Sequence, residues 1–296
     1  MRKTAVVTAG TGGIGLETAL GLAAAGFAVT VVGRDAGRGA RAVERIDATG
    51  PAHPARFLSA DLSSLGQVRA LAHRIAADQA ASGDPLTVLV NNVGAMFARR
   101  QHVDGVEASF VVNHLSPYLL TELLLPTLTA GAPSRIVNVT SGAVAVAKRV
   151  FDAVEPPGGY YGFHWYGRAK LANLAYTLDL AARLDDTGVS VLAADPGGAA
   201  TDMTNGTMTD PKIVTPALRL LWPLVRHTFE RSTSGPASAA ARPSIAAATD
   251  SALTGRTGIV IGPRAQPVPP HRAAADPRVA EAVRRLSERH APLAPA

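Results

Sequence analysis

The sequence predicts an α/β fold, a doubly wound parallel sheet of about seven strands with helices on both faces. Short β-branched runs alternate with Ala- and Leu-rich stretches of helical length, and this alternation implies parallel crossover connections. The strand-like runs are almost continuously apolar, which is typical of a sheet that is covered on both faces. A glycine-rich turn directly after the first run supports the same interpretation.

The elements are expected in regular order along the chain. Strands are predicted at residues 4–8, 28–33, 56–60, 87–91, 135–139, 190–194 and 258–261. Helices are predicted at residues 13–25, 36–48, 65–82, 106–130, 166–185 and 234–249. Only the residues after the sixth strand interrupt this alternation.

One domain is expected to cover residues 1–262. Within it, residues 201–232 break the alternation and contain an apolar, helix-like piece at 216–226. Ligands of such sheets bind beyond the C-terminal ends of the strands, so this insertion is predicted to form a lid over the substrate. Residues 263–296 are expected to be an appended segment, in which a proline-rich stretch leads to a charged helix at 276–290.

The composition excludes several classes of protein. The 296 residues are 47% hydrophobic, which is enough for a large core, and the absence of cysteine excludes disulfides and thiolate nucleophiles. No apolar run reaches the roughly 18 residues of a membrane span. The first residues run directly into a strand and are interpreted as part of the fold, not as a signal peptide. A cytoplasmic protein without a membrane span is therefore expected.

The charge pattern does not indicate nucleic-acid binding. The formal net charge is +6, but the arginines are scattered along helical stretches and do not interleave with aromatic residues. Some of this positive charge could instead bind a phosphorylated cofactor. His102, His114 and His227 have no metal-ligand spacing, so no metal site is expected.

The turn after the first strand has the composition of a phosphate-binding loop. It contains Gly10, Thr11, Gly13, Ile14 and Gly15, and it opens the first helix. Glycines allow the backbone to approach a pyrophosphate, and a helix N-terminus supplies N–H donors and a favourable dipole. An ordinary tight turn needs one or two glycines, whereas this segment carries four. These residues are therefore predicted to bind a dinucleotide.

The end of the second strand indicates which dinucleotide is bound. An acidic residue directly at this strand end would accept the ribose hydroxyls of NAD and repel a 2′-phosphate. Here Gly33 leaves space and Arg34 offers a phosphate partner, with Arg38 one turn later. NADP is therefore expected more than NAD. Asp35 argues against this choice, and Arg34 and Asp35 could instead merely cap the next helix.

Tyr166, Lys170 and Ser141 suit proton transfer at a carbonyl or alcohol oxygen. Tyr166 and Lys170 stand four residues apart, so both project from one face of a helix. A nearby ammonium favours the phenolate and is expected to lower the pKa of Tyr166. Ser141 ends a strand-like run, and its hydroxyl could hold a carbonyl oxygen beside the phenol. Of the five tyrosines, only Tyr166 has a lysine four residues later.

Further segments occur in a characteristic order: residues 61–65 (DLSSL), 91–94 (NNVG), 113–115 (NHL), 135–141 (RIVNVTS), 166–173 (YGRAKLAN) and 195–197 (DPG). With the glycine turn, they resemble the short-chain dehydrogenase/reductase family, nearest its retinol-dehydrogenase-like branch. The matching segments run from residue 4 to about residue 261 and thus cover most of the chain. The resemblance implies a Rossmann fold and a dinucleotide-dependent oxidoreductase.

The resemblance also implies contacts with the cofactor. Asp61 and Leu62 would line the adenine, and Asn91 would lie beneath the cofactor at the end of the fourth strand. The segment from Pro196 to Thr201 would flank the nicotinamide. These roles follow from the family's motifs at the matching positions of this sequence.

Asn113, Ser141, Tyr166 and Lys170 match the family's catalytic tetrad. The resemblance implies that Asn113 holds a helix bend and a water that relays protons to Lys170. It also implies that Lys170 binds the nicotinamide ribose. Tyr166 would then act as the general acid or base, with Ser141 bonded to the reacting oxygen.

Two positions depart from the family's pattern. Ala9 occupies the place of the first glycine of the turn, which is tolerable unless that position needs a positive φ. Val93 stands where the family usually has alanine, and its larger side chain could crowd the cofactor slightly. Neither substitution removes a reacting group.

The sequence thus predicts an NADP(H)-dependent oxidoreductase that interconverts a ketone or aldehyde and an alcohol. Apolar and aromatic residues at 160–165 and 201–229 favour a hydrophobic substrate, although the aromatic residues could equally pack against the sheet. One alternative is a non-catalytic dinucleotide-binding sensor or scaffold, which would need the turn but not Tyr166. Another is a membrane-peripheral enzyme that docks through residues 218–225. A homo-oligomer is compatible with the sequence.

Overall fold

An eight-stranded sheet organises the computed structural model, which describes residues 2–198, 209–232 and 235–294. In chain order the described strands are β1 (Thr4–Thr8), β2 (Ala28–Gly33), β3 (Arg56–Ser59), β4 (Leu86–Asn91), β5 (His102–Val103), β6 (Val106–Glu107), β7 (Ser134–Val139), β8 (Val189–Ala194), β9 (Ile259–Ile261) and β10 (Pro267–Val268). The sheet order is β10-β9-β8-β7-β4-β1-β2-β3, and β5 and β6 form a separate pair. Neighbouring strands of the described sheet are parallel except β9 and β10. The predicted doubly wound parallel sheet is confirmed.

Helices cover both faces of this sheet. The described helices are α1 (Gly13–Ala24), α2 (Ala36–Asp47), α3 (Leu65–Ser82), α4 (Ala108–Phe110), α5 (Ser116–Ala130), α6 (Gly162–Arg183), α7 (Pro216–Arg219), α8 (Trp222–Ser232), α9 (Ala237–Thr249) and α10 (Pro277–His290). Buried residues of α1, α2 and α9 share one core cluster with the strands. Those of α3, α5, α6 and α10 share the other. Successive strand residues alternate between the two clusters, as the pleat of a strand requires.

The strand order places a ligand site at the ends of β1 and β4. From β1 the sheet grows towards β2 and β3 on one side and towards β4, β7 and β8 on the other. The helices that follow β1 and β4 therefore leave in opposite directions and open a crevice between them. Ligands of doubly wound sheets bind in this crevice, beyond the C-terminal strand ends.

The predicted helix at 106–130 is interrupted near its start. Val106 belongs to the short strand β6, the chain then forms α4, and residues Val111–Leu115 form a turn of π-helix before α5. Inside this turn, Asn113 Nδ2 donates to the carbonyls of Ser109 and Ala95, each at 2.8 Å. A π-helical turn contains one residue more than an α-helical turn, and here it turns the side chain of Asn113 towards the backbone of Ala95. Turns of this kind frequently occur at functional sites.

Helix α6 begins at Gly162, four residues before the predicted start at residue 166. The first turn is aromatic and has no side-chain cap, so the usual signal for a helix start is missing. Close packing fixes the start instead, because a Cβ at Gly162 would lie 2.1 Å from the carbonyl oxygen of Phe97. Arg168 supports the preceding loop by donating to the carbonyls of Val150, Ala153 and Val154.

The insertion is helical where the structure describes it. Residues 216–226, predicted to be helix-like, form α7 and the first part of α8. Residues 199–208, which include Thr201, lie outside the described residues. Among the helices in the described ranges, none is both long and apolar enough to cross a membrane.

The C-terminal segment is attached to the sheet and to α6. Within the proline-rich stretch, β10 pairs with β9 through Pro267 opposite Ile261. A strand was not expected here, because proline is depleted in strands; at a sheet edge its missing N–H is tolerated. Helix α10 packs on α6 with Val283 and Leu286 buried, and Ser287 Oγ lies 2.7 Å from Nε2 of His114.

Candidate active site

A large cleft opens at the C-terminal ends of β1, β2, β4, β7 and β8. Its volume is about 1110 Å³, and it extends from the glycine turn to the insertion. The predicted residues that line it are Thr11, Gly13, Ile14, Gly15, Arg34, Asp61, Leu62, Ser141, Tyr166, Lys170 and Pro196. The fold therefore brings the predicted cofactor residues and the predicted reacting groups into one space.

The glycine turn presents the N-terminus of α1 to the cleft. Gly15 must lack a side chain, because a Cβ there would lie 2.3 Å from the carbonyl oxygen of Ala9. Gly10 has another role than predicted, since it does not line the cleft. A Cβ on Gly10 would lie 2.9 Å from the side chain of Val31, so this glycine lets the turn pack on β2. Thr11 and the residues that follow it do line the cleft.

Ala9 adopts a left-handed backbone conformation, with φ of 50°. The family's glycine at this position is thus explained by its conformation, and the condition under which alanine would be tolerable, a position without a positive φ, is not met. Left-handed φ costs an L-residue roughly 1–2 kcal/mol, because Cβ approaches a carbonyl oxygen. The side-chain amide of Asn92 holds the strained segment by donating to Thr8 O at 3.1 Å and to Ala9 O at 3.4 Å.

Two arginines and a helix-capping carboxylate lie between the end of β2 and the first turn of α2. Arg34, Asp35 and Arg38 all line the cleft. Asp35 Oδ1 accepts from the backbone N–H of Arg38 at 2.7 Å, so this carboxylate caps α2. The space beside Gly33 is already occupied by Thr11, whose Cγ2 would lie 2.8 Å from a Cβ at Gly33. The capping alternative therefore applies to Asp35.

At the end of β4, the neighbour of the predicted residue faces the cleft. Asn91 is buried and donates to Thr121 Oγ1 and to Asn138 Oδ1, each at 2.8 Å. It does not line the cleft, whereas Asn92 and Val93 do. The implied role of Asn91 beneath the cofactor is thus corrected: its side chain ties β4 to β7 and α5. The side chains of adjacent residues in a strand point to opposite faces of the sheet. Choosing Asn91 in place of Asn92 therefore selects a side chain on the wrong face.

Lys170 is fixed by two backbone carbonyls. Its Nζ donates to Val139 O at 2.9 Å and to Val93 O at 3.1 Å. Burial lowers the pKa of Lys170 to about 7. The ammonium lies 5.9 Å from the centre of the Tyr166 ring.

The phenol of Tyr166 is held in its protonated form. Burial raises the pKa of Tyr166 to about 12, while a hydrogen bond with Ser141 acts in the opposite direction. The expected lowering by Lys170 is not found, because desolvation of the buried phenolate is the larger effect and the ammonium bonds to carbonyls. Tyr166 is therefore an acid at neutral pH.

Asn113 lies directly behind Lys170. Its Oδ1 accepts from the N–H of Ala95 at 3.1 Å, while its Nδ2 donates to the carbonyl of the same residue at 2.8 Å. A Cβ at Gly94 would lie 3.4 Å from Asn113 Oδ1 and 3.5 Å from Lys170 Nζ. Asn113 Oδ1 and Lys170 Nζ thus both lie close to Gly94, where there is no side chain between them. The structure brings the four residues of the predicted tetrad into one region.

The insertion closes the other end of the cleft with apolar side chains. Trp222, Val225 and Phe229 of α8 pack on a cluster that contains Tyr166 and Met96. The rings of Phe229 and Phe163 lie 5.0 Å apart, and both residues line the cleft. A hydrophobic wall therefore stands next to the phenol.

The aromatic residues around the start of α6 divide between the two roles that the sequence left open. Phe163 lines the cleft. Tyr160 and Trp165 instead pack together with ring centres 5.1 Å apart, and the hydroxyl of Tyr160 donates to Glu107 at 3.2 Å.

Asp195 also lines the cleft and was missed as a site residue. Burial raises the pKa of this carboxyl group, and Oδ1 accepts from the N–H of Gly197 at 3.0 Å. Its position at the C-terminal end of β8 is the signal that could have identified it. Within the described ranges, no three His, Cys, Asp or Glu side chains are grouped as a metal site would require.

Comparisons with known proteins agree with this geometry. The family model described as short chain dehydrogenase matches residues 3–212. Retinol dehydrogenase 12 of Mus musculus is 36% identical over 234 residues, covering 79% of this chain and 70% of that protein. Polyprenol dehydrogenase of Mus musculus is 39% identical over 208 residues, covering 68% of this chain and 61% of that protein.

A solved structure supports the fold. The RhlG/NADP active-site complex of Pseudomonas aeruginosa superposes with a TM-score of 0.66 at 28% identity. The superposition covers 88% of this chain and 94% of that one. The structural similarity therefore extends over most of both chains.

Proposed function

The chain belongs to the short-chain dehydrogenase/reductase family, and we propose that it reduces a hydrophobic ketone or aldehyde with NADPH, or catalyses the reverse oxidation. The observation that carries this proposal is that Ser141, Tyr166 and Lys170 share one cleft with the glycine turn. A sensor or scaffold would need the turn alone. A cytoplasmic location stays a prediction.

The cleft suits a phosphorylated dinucleotide. Arg34 follows the end of β2, Arg38 lies in the first turn of α2, and both line the cleft. The carboxylate of Asp35 caps α2, so it does not face the place of a 2′-phosphate without a partner. The N-terminus of α1 offers backbone N–H groups to the pyrophosphate. Asp61 and Leu62 would receive the adenine, and Lys170 and Pro196 the nicotinamide end. The NADP named in the structure of the Pseudomonas aeruginosa relative supports the same choice.

Tyr166 is proposed to protonate the carbonyl oxygen during reduction. A phenol with a pKa of about 12 carries its proton at neutral pH, so it starts the reaction as an acid. The hydroxyl of Ser141 donates to the same oxygen and favours the negative charge that develops there. When bound, the nicotinamide supplies the hydride to the carbonyl carbon. General acid catalysis of this kind contributes typically about 10²–10⁴-fold to the rate.

Lys170 and Asn113 are proposed to return the proton to Tyr166. A lysine whose pKa is about 7 can gain and lose a proton near neutral pH. Asn113 approaches the same point beside Gly94, where a water could connect the two groups. The protein's residues thus supply the proton for the oxygen and a route for its replacement.

The substrate is proposed to be apolar. Phe163 and Phe229 line the cleft, and α8 packs against the cluster that holds Tyr166. The names of the relatives, retinol dehydrogenase and polyprenol dehydrogenase, point to the same class of alcohol. Burial of the apolar surface of such a substrate against these side chains favours its transfer from water into the cleft. The insertion is accordingly proposed to act as a lid.

The proposal is tested by following NADPH oxidation with a panel of ketones and aldehydes of increasing apolar size. Turnover is expected with NADPH. The kcat/KM should increase as the apolar part of the carbonyl substrate becomes larger. Tyr166→Phe should abolish it. Tight dinucleotide binding without turnover on any carbonyl or alcohol would instead favour the sensor.

A further inference from the structure

The outer face of the insertion exposes an apolar patch that the cleft does not use. Leu218, Leu220, Leu221 and Leu224 are 39%, 87%, 56% and 65% exposed. They follow one another along two successive turns that lead from α7 into α8, since Leu221 N donates to Leu218 O and Leu224 N donates to Leu221 O. We call these four residues the leucine patch. Large apolar side chains grouped in this way usually mark an interaction surface.

The opposite face of the same segment is already engaged. Trp222, Val225 and Phe229 are partly buried and pack on the cluster around Tyr166. The spacing of these three residues, at i, i+3 and i+7, places them on one side of α8. The leucine patch therefore points away from the protein body and needs another partner than the core.

The charges around the patch are mainly positive. Within residues 209–232, Lys212, Arg219, Arg226 and Arg231 outnumber Asp210 and Glu230. Glu230 is paired with Arg226 at 2.7 Å, so this pair is neutral and the positive excess rests on Lys212, Arg219 and Arg231 against Asp210. A short helix that carries leucines beside arginines fits the boundary between acyl chains and anionic headgroups, where apolar burial and electrostatic attraction act together.

We propose that the leucine patch docks on an anionic lipid surface. The leucines would enter the acyl boundary while the arginines remain at the headgroups. A second copy of the chain fits less well, because a stable interface takes roughly 20–30 residues from each side and this patch is one short helical segment. Docking here would place α8, whose Phe229 lines the cleft, at the membrane, so that an apolar substrate could pass from the bilayer to the cleft beside this helix.

The role in substrate uptake rests on the proposed function, whereas the docking itself does not. Binding is measured by flotation of the full-length protein with vesicles of phosphatidylcholine containing one quarter phosphatidylserine. The parent should float with these vesicles, less with phosphatidylcholine alone, and less at high salt. The triple variant Leu220→Ser, Leu221→Ser, Leu224→Ser should lose at least tenfold in its partition coefficient.

A matched control replaces exposed apolar residues elsewhere on the surface. Val150, Val268 and Leu293 are 45%, 40% and 46% exposed, and the triple variant to serine at these positions should float like the parent. Equal flotation of both triple variants, or no flotation of the parent, would overturn the proposal. Sedimentation velocity without vesicles is the second measurement. A parent dimer that the leucine variant converts to a monomer would identify a second copy as the occupant.

Activity separates this proposal from the proposed function. With a small water-soluble ketone, the leucine variant should keep the parent's turnover, because the inner face of α8 is unchanged. With an apolar ketone delivered in the anionic vesicles, its kcat/KM should fall at least tenfold. Absence of turnover with either ketone, together with normal flotation, would refute the proposed function and leave the docking surface standing.

Discussion

The Nζ of Lys170 donates to the carbonyl oxygen of Val93 at 3.1 Å and so joins α6 to the end of β4. A second bond, to Val139 O at 2.9 Å, joins the same helix to β7. One buried side chain thus connects three elements of the cleft. Because burial lowers the pKa of Lys170 to about 7, this connection involves a group that titrates near neutral pH.

Stability should rise between pH 7 and pH 9 through Lys170. The folded pKa is about 7 and the ordinary value is 10.5, so between them the unfolded state binds more protons. The free energy of unfolding then increases with pH, by at most about 1.4 kcal/mol per unit. Urea unfolding of the parent and of Lys170→Met at several pH values measures this difference. A gap between the two proteins that stays constant with pH would contradict the buried titration.

Tyr166→Phe should lower turnover by at least about a hundredfold, the usual minimum for a general acid. Affinity for NADPH should remain nearly unchanged, because the substitution removes only the hydroxyl. Turnover and calorimetric binding are measured on the same preparation. Tyr161→Phe is the control, since Tyr161 precedes α6 outside the residues that line the cleft. Activity of Tyr166→Phe within roughly tenfold of the parent would remove Tyr166 from its role.

Arg34→Ala should weaken NADPH binding by about tenfold or more, as expected for the loss of one charge-assisted hydrogen bond. NADH binding should change little, because NADH has no 2′-phosphate. The exposed Arg41 on α2 does not line the cleft, so Arg41→Ala is the matched control. Gly33→Asp is a poor test here, since its Cβ would lie 2.8 Å from Thr11 Cγ2. Equal affinities of the parent for NADPH and NADH would rule out the proposed preference.

Ala9→Gly should stabilise the protein by about 1 kcal/mol. Glycine removes the steric cost of the left-handed φ of 50°. The greater conformational entropy of glycine in the unfolded chain opposes this gain in part. Ala25→Gly provides the comparison, because Ala25 follows α1 with an ordinary φ of −81°, where glycine should destabilise the protein. Chemical unfolding of the three proteins gives the two differences. Loss of stability in both variants would show that Ala9 is not strained.

The seven predicted strands all form, because most of them are short apolar runs between turn residues, whereas the two-residue strands β5, β6 and β10 were not predicted. Where the prediction was wrong, tertiary contacts decide the local structure. Asn113 turns part of the predicted helix into a π-helix by bonding to Ala95, which is distant from its own helix in sequence. The start of α6 depends on the contact of Gly162 with Phe97. Neither contact has a signal in the local sequence.

The site was predicted through the types and spacing of its residues, but orientation could not be. Asn91 and Asn92 are both asparagines at a strand end, and only the sheet determines which of them faces the cleft. The pKa of Tyr166 was misjudged for a similar reason. Spacing along a helix gives the proximity of Lys170 but not the burial of the phenol, which is the larger effect.

The contact between His114 and Ser287 makes the end of the chain part of the support for the proposed proton route. Ser287 Oγ already donates to the carbonyl of Val283, so the imidazole must donate to Ser287 and carry its proton on Nε2. Burial lowers the pKa of His114 to about 3, and its Nδ1 has no hydrogen-bond partner among the described residues. The residue next to Asn113 is thus locked as one neutral tautomer by a serine 173 positions away. Loss of α10 would take away the hydrogen-bond partner of a buried ring that lies within the same π-helical turn as Asn113.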